Sequence, residues 1–130
     1  MVLERFFRAF ALSTFLFALT GLVCAQGTTS RITGIVNDAS GAAVVGATIT
    51  INREGTGTFL TAQTSSDGSY VFDLIQPGTY TVTIEKQGFK KIVSTNNPAL
   101  INQPSTVNAI LEVGEVSAVV NVAGTAEQVQ

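Results

Sequence analysis

Residues 64–91, T-S-S-D-G-S-Y-V-F-D-L-I-Q-P-G-T-Y-T-V-T-I-E-K-Q-G-F-K-K, restrict the fold more than any other stretch of the chain. Tyr70, Phe72 and Leu74 alternate with Val71 and Asp73. Tyr80, Val82 and Ile84 alternate with Thr81, Thr83 and Glu85. Side chains two residues apart share one face of a strand, so each run reads as a strand with one buried face. Asp67-Gly68, Pro77-Gly78 and Gly88-Phe89 punctuate the runs. Glycine adopts positive φ without steric cost, which suits it to such turns. Pro77-Gly78 is expected to form a type II turn, with proline presetting the first central φ and glycine accepting the positive second one.

The same grammar extends to both sides. Residues 31–38 form the first expected strand, with Ile32, Gly34 and Val36 on one face. Asp38 and Gly41 bound a turn, and a small-residue loop ends at Gly46. Residues 47–53 turn Ala47, Ile49 and Ile51 inward. Residues 59–65 return as a hairpin partner after a glycine-rich turn. Residues 90–94 follow Gly88 as a strand. Residues 95–104 contain Asn96-Asn97-Pro98 and Pro104 and read as an irregular connection. Residues 105–113 are the last core strand, with Val107, Ala109, Leu111 and Val113 inward. Seven alternating strands at this spacing imply an all-β, seven-stranded antiparallel β-sandwich. Its expected core is Ile32, Val36, Ile49, Ile51, Tyr70, Phe72, Tyr80, Val82, Ile84 and Leu111. Gly41, Gly46, Asp67, Gly68, Pro77, Gly78 and Gly88 are expected to be structural turn residues. Residues 115–122 alternate weakly beyond Gly114 and are expected to be a linker rather than a paired strand.

A chain of 130 residues, 45% hydrophobic and 12% charged, suits one packed domain. Its net charge of −2 and the lack of a basic stripe argue against a nucleic-acid partner. The first 25 residues differ from the rest. Arg5 and Arg8 precede an apolar run over residues 10–23, and Val23-Cys24-Ala25 supplies small residues for a peptidase. This is the pattern of a secretory signal cleaved after Ala25. A membrane anchor is the rival, but the run falls short of the roughly 20 residues a span requires. Lipidation at Cys24 is a second rival, and Val23 is larger than the residue such sites carry before the cysteine. The expected organisation is a signal peptide over 1–25, a sandwich over 26–113 and a strand-like linker or tail over 114–130.

The segments I-T-G-I-V-N-D-A-S-G, V-V-G-A-T-I-T-I, S-D-G-S-Y-V-F and L-I-Q-P-G-T-Y-T-V-T-I, followed by G-F, resemble the carboxypeptidase regulatory-like domain. The resemblance covers about residues 32–113 and implies a transthyretin-like sandwich of carbohydrate-binding-like fold. It implies an accessory domain and not the catalytic part of a carboxypeptidase. A signal peptide, such a domain and then L-E-V-G-E-V-S-A-V-V-N-V resemble the start of TonB-dependent, Oar-like outer-membrane receptors. That resemblance implies a non-catalytic cell-envelope interaction module with a protein partner, in the periplasm, at the outer membrane or secreted. Membrane contact would come only through a receptor barrel following these residues. A structural spacer or adhesin-type domain of a surface protein is the alternative.

Histidine is absent and Cys24 is the single cysteine. No Ser-His or Cys-His pair can form, and carboxylates alone rarely hold zinc. No enzyme activity, cofactor, metal or small-molecule substrate is expected. Asp38 and Asp67 are tempting as calcium ligands, but each precedes a turn glycine and fits a backbone-capping role. Lys86, Lys90 and Lys91 are expected as solvated strand positions more than as a partner patch. Tyr70, Phe72, Tyr80 and Phe89 suit a core better than a carbohydrate platform. The intramolecular Lys-Asn bond of related adhesin sandwiches would need a lysine on the first strand, and residues 32–36 have none.

Overall fold

A computed structural model describes residues 1–5, 27–115 and 119–123. The signal-peptide segment, with Cys24, lies almost wholly outside the described residues, as does the tail from residue 124. Among the described residues no helix is long and apolar enough to cross a membrane.

Alternation sets the architecture. Among the described residues nine strands follow in order: β1 (Ser30–Asp38), β2 (Thr48–Arg53), β3 (Phe59–Gln63), β4 (Ser69–Ile75), β5 (Gly78–Glu85), β6 (Lys91–Ala99), β7 (Pro104–Thr106), β8 (Ala109–Leu111) and β9 (Val119–Ala123). They build a two-sheet all-β sandwich. One sheet runs β4-β1-β7, with β8 pairing the second half of β1; the other runs β3-β2-β5-β6-β9. Ile32, Val36, Ile49, Ile51, Val82, Ile84 and Leu111 are completely buried between the sheets, and Tyr70, Phe72 and Tyr80 nearly so. Ile75, Ile92, Val44, Ala47 and Ala99 complete the core. Period-two burial is clearest on β5, where Tyr80, Val82 and Ile84 are buried and Thr81 and Thr83 half-buried.

Four local readings are corrected by the structure. The expected strand over residues 105–113 splits into β7 and β8, which both pair parallel with β1. Val107 and Ala109 are only partly buried there, and Val113 is 81% exposed. Second, the region read as an irregular connection continues β6 to Ala99 against β5. The register passes from Tyr80↔Asn97 to Val82↔Ser94, so β6 holds one extra residue and bulges. Asn96 takes a φ of 58°, a conformation asparagine tolerates. Pro98 is accommodated because β9 pairs only residues 91–95 of β6.

Third, β4 bulges at its end: Phe72 pairs with Ile32 and Ile75 with Ser30. The extra residue reverses the alternation. Ile75 therefore takes the buried place, and Leu74 turns out, 78% exposed at a φ of 54°. Fourth, Pro77 is a bend residue and Gly78 opens β5 at a φ of 159°, far from the value near +80° of a type II turn. The reversal between β4 and β5 is made by the Leu74 bulge and Pro77 together. Gly41, Gly46, Gly68 and Gly88 do take positive φ, between 67° and 87°.

The second sheet also extends past Val113. Residues 119–123 pair parallel with residues 91–95 as β9, so this stretch is an edge strand and not a free linker.

Candidate functional site

The carboxylates singled out from sequence cap their own turns. Asp38 accepts from the Ser40 and Ala42 N–H groups at 2.9 and 3.0 Å and from the Ser40 hydroxyl. Asp67 accepts from the Ser65 and Ser69 hydroxyls and from the Ser69 N–H. These bonds favour the charged form, with Ser65 contributing most, and hold the Asp67 carboxyl down at about 2. No group of three or more potential metal ligands occurs among the described residues. Gly68, beside Asp67, has a second constraint, since a Cβ there would come 2.6 Å from the Val36 carbonyl.

The lysines are spent on the surface. Lys90 pairs with Glu112 and Lys91 with Glu85, each at 3.0 Å. The Lys86 ammonium approaches the Gly46 carbonyl at 3.5 Å. The aromatics are structural: the Tyr70 hydroxyl donates to Val107 at 2.6 Å and the Tyr80 hydroxyl to Gln76 at 2.7 Å. Tyr70 and Phe72 meet edge to face, with ring centroids 6.1 Å apart. The named core and turn residues thus build the scaffold, and none of them converges on a reactive constellation.

What the structure brings together instead is an open margin of the sandwich. β3 ends the second sheet and β4 ends the first, on the same side of the molecule. Among the described residues β3 pairs only with β2, Leu60 opposite Ile51 and Ala62 opposite Ile49, so Leu60 and Ala62 point toward the core side. β3 and β4 touch, and among the described residues no further strand lies beyond either edge. Leu60 remains 45% exposed and Phe59, on the outer face, 69% exposed. Between the two edges lies a cleft of about 220 Å³ lined by Ile51, Arg53, Thr58, Leu60, Leu74, Ile75, Gln76 and Tyr80. Residues 55–66 carry no charge, so the strand lacks the lysine or proline that normally guards an edge.

Leu74 is the most exposed apolar side chain lining the cleft, and its positive φ is a strained choice for a branched residue. Arg53 crosses the other end. A Cβ on Gly78 would come 2.8 Å from the Arg53 Nε, so glycine makes room for the guanidinium. Arg53 donates to Gln76 Oε1 at 2.6 Å, and no carboxylate among the described residues pairs with it. Sequence reasoning missed this site because it depends on the β4 bulge, which inverts the side on which Leu74 falls. The uncharged run over residues 55–66 was the available signal.

A family model described as carboxypeptidase regulatory-like domain matches residues 31–112. Among curated proteins, none matches the sequence. Solved structures similar in fold include the following three. The TIE protein of Bacillus anthracis is 13% identical with a TM-score of 0.58, over 66% of this chain and 17% of that one. The 3-chlorocatechol 1,2-dioxygenase of Rhodococcus opacus 1CP is 12% identical with a TM-score of 0.54, over 68% of this chain and 61% of that one. The full-length major pilin SpaD of Corynebacterium diphtheriae is 18% identical with a TM-score of 0.52, over 65% of this chain and 30% of that one. This chain spans less than two thirds of each, and likeness at such identity is a likeness of fold.

Proposed function

The chain belongs to the carboxypeptidase regulatory-like domain family, and we propose that it acts as a non-catalytic interaction module of the cell envelope. The observation that carries this reading is the margin at β3: a two-sheet scaffold ends in an uncharged edge strand that, among the described residues, pairs on one side only and exposes Phe59 and Leu60. Such an edge recruits an extended segment of a protein partner by continuing the sheet, with main-chain hydrogen bonds supplying affinity. The reading is non-catalytic: histidine is absent, and the Asp38, Asp67 and Tyr70 groups serve as turn caps and a core hydrogen bond. The wider setting we propose is the N-terminal domain of a TonB-dependent outer-membrane receptor-like protein, exported through a signal removed after Ala25. The basic start, the apolar run and the small residues before Gln26 support that setting.

A photo-crosslinking residue at Thr61 on β3, in the natural host, tests the reading. Adducts to a discrete envelope protein are expected, on a chain whose intact mass begins at Gln26. A chain that crosslinks to nothing from any surface position is instead a structural spacer or adhesin-type domain. The likeness in fold to the pilin SpaD favours that second reading.

A further inference from the structure

We propose that the cleft between β3 and the end of β4 binds a small monocarboxylate whose apolar body is the size of an aromatic ring. This goes beyond the interaction-module reading and does not depend on it. Two separate features point to such a ligand. The first is an apolar wall joined to one cation. Ile51, Ile75 and Tyr80 line the cleft as buried side chains, and Arg53 and Gln76 supply its polar part. Arg53 leans toward the start of β5, where a Cβ on Gly78 would come 2.8 Å from its Nε. It donates to Gln76 Oε1 at 2.6 Å, a neutral acceptor, and no carboxylate among the described residues pairs with it. Its charge is felt within the cleft: burial raises the Tyr80 phenol, and the guanidinium opposes that rise. A guanidinium carries five N–H donors, so one bond to Gln76 leaves others to grip a carboxylate.

The second feature is Leu74. The β4 bulge holds it at a φ of 54° with most of its side chain in solvent. Glycine or asparagine adopts that backbone with less strain, and a polar residue would suit the exposure. Leucine gains from neither in the free domain. Over a bound apolar body it gains a contact that removes it from water. Strained residues of this kind cluster at ligand sites. Size narrows the class: a dry cavity of about 150 Å³ accepts benzene, so a cleft of about 220 Å³ takes a ring and a short acid arm. A phosphate ester is a poorer match, because Arg53 alone among the lining residues is cationic. An uncharged hydrocarbon would leave the guanidinium uncompensated. A sugar lacks a stacking face, since Tyr80 is buried and its hydroxyl is engaged by the Gln76 carbonyl.

The probes are phenylacetate, its neutral isostere phenylacetamide, and acetate, each titrated into the purified chain at low salt and followed by amide chemical shifts. Phenylacetate should bind with a Kd of about 1 mM or tighter, and about tenfold or more tighter than either comparator. The shifts should centre on Ile51, Arg53, Leu60, Tyr80 and residues 74–76. Arg53→Gln should bring acid and amide to within about threefold of each other, and Arg53→Lys should restore part of the preference. Leu74→Asn should weaken phenylacetate about threefold or more without lowering the melting temperature, since asparagine tolerates the positive φ. A leucine with a merely structural role would do the reverse. The probe comparison needs no variant, so a misfolded Arg53→Gln chain leaves the test intact. Equal binding of acid and amide overturns the proposal, as does no binding of phenylacetate at about 10 mM. Shifts confined to the surroundings of Lys86, Lys90 and Lys91, or an affinity indifferent to Leu74→Asn, overturn it too. Each of these outcomes leaves the module reading standing, because the Thr61 crosslinks decide that separately.

Discussion

Gly34 shows how one missing side chain fixes a sheet's geometry. A Cβ there would lie 1.9 Å from the Val107 carbonyl oxygen and 2.8 Å from the Tyr70 ring and hydroxyl. The obstacle is backbone, so no rotamer change relieves it. Gly34→Ala should destabilise the chain by about 3 kcal/mol, the upper end of overpacking costs, read from thermal or urea unfolding. The same carbonyl accepts the Tyr70 hydroxyl at 2.6 Å, and burial pushes that phenol well above its ordinary value. An unfolded tyrosine ionises near 10, so between that value and the higher folded one the unfolded chain binds fewer protons. Stability from Tyr70 is therefore complete below pH about 10 and falls above it, at up to about 1.4 kcal/mol per pH unit. Tyr80, also raised by burial, adds to the same decline. Tyr70→Phe should cost about 1 kcal/mol at neutral pH by orphaning the Val107 carbonyl. It should also flatten the alkaline limb of an unfolding-versus-pH curve; an unchanged limb would mean that the ring is not held as described.

At the scale of elements, irregularities decide more than the regular strands do. The β6 bulge is held by Asn97, whose amide donates to the Tyr80 and Ser94 carbonyls at 3.1 and 2.9 Å and accepts from the Ser94 hydroxyl. Asn97 is buried, so Asn97→Ala removes three hydrogen bonds from a buried site and should cost about 1–3 kcal/mol in chemical unfolding. Alternation in the sequence was sufficient to locate β1, β2, β4 and β5, because Ile, Val and Tyr at period two have only one face to bury. It failed at both bulges for one physical reason. A bulge shifts the period by one residue, and neither Leu74 nor the Asn96-Asn97 pair announces the shift in composition. The Leu74 side of the candidate margin was illegible for that same reason, while the uncharged run over residues 55–66 was readable. β9 is the other departure. Its Val119, Val120 and Val122 are only half covered, yet all five of its residues pair with β6. Amides of residues 119–123 should exchange slowly, and ending the chain at Gly114 should cost about 1–2 kcal/mol, given the modest apolar area involved. Rapid exchange there would return this stretch to the status of a linker.

At the scale of the molecule, the scaffold must be stable while one margin is left unfinished. The described residues contain no ligand cluster for a metal. One cysteine in the whole sequence forbids an intrachain disulfide. Cohesion then rests on the core shared by both sheets, in which residues from β1, β2, β4, β5, β6 and β8 all take part. The parallel closure of β7 and β8 on β1 joins the last third of the chain to the first strand, so the sandwich is sealed on that side. On the β3–β4 side no further strand lies beyond either edge among the described residues, and the exposed apolar residues Phe59, Leu60 and Leu74 gather there. An apolar core held without metal or disulfide should unfold at the same temperature with and without EDTA or a thiol reductant. A ligand that fills the margin should raise that temperature, because it binds the folded chain alone. Calorimetry separates the two contributions. A drop on adding EDTA would show that the Asp38 or Asp67 loop holds a cation and contributes to folding, against their assignment here as turn caps. Indifference to EDTA, together with a ligand-dependent rise that Leu60→Ala diminishes, would place core stability and margin occupancy in separate parts of one domain.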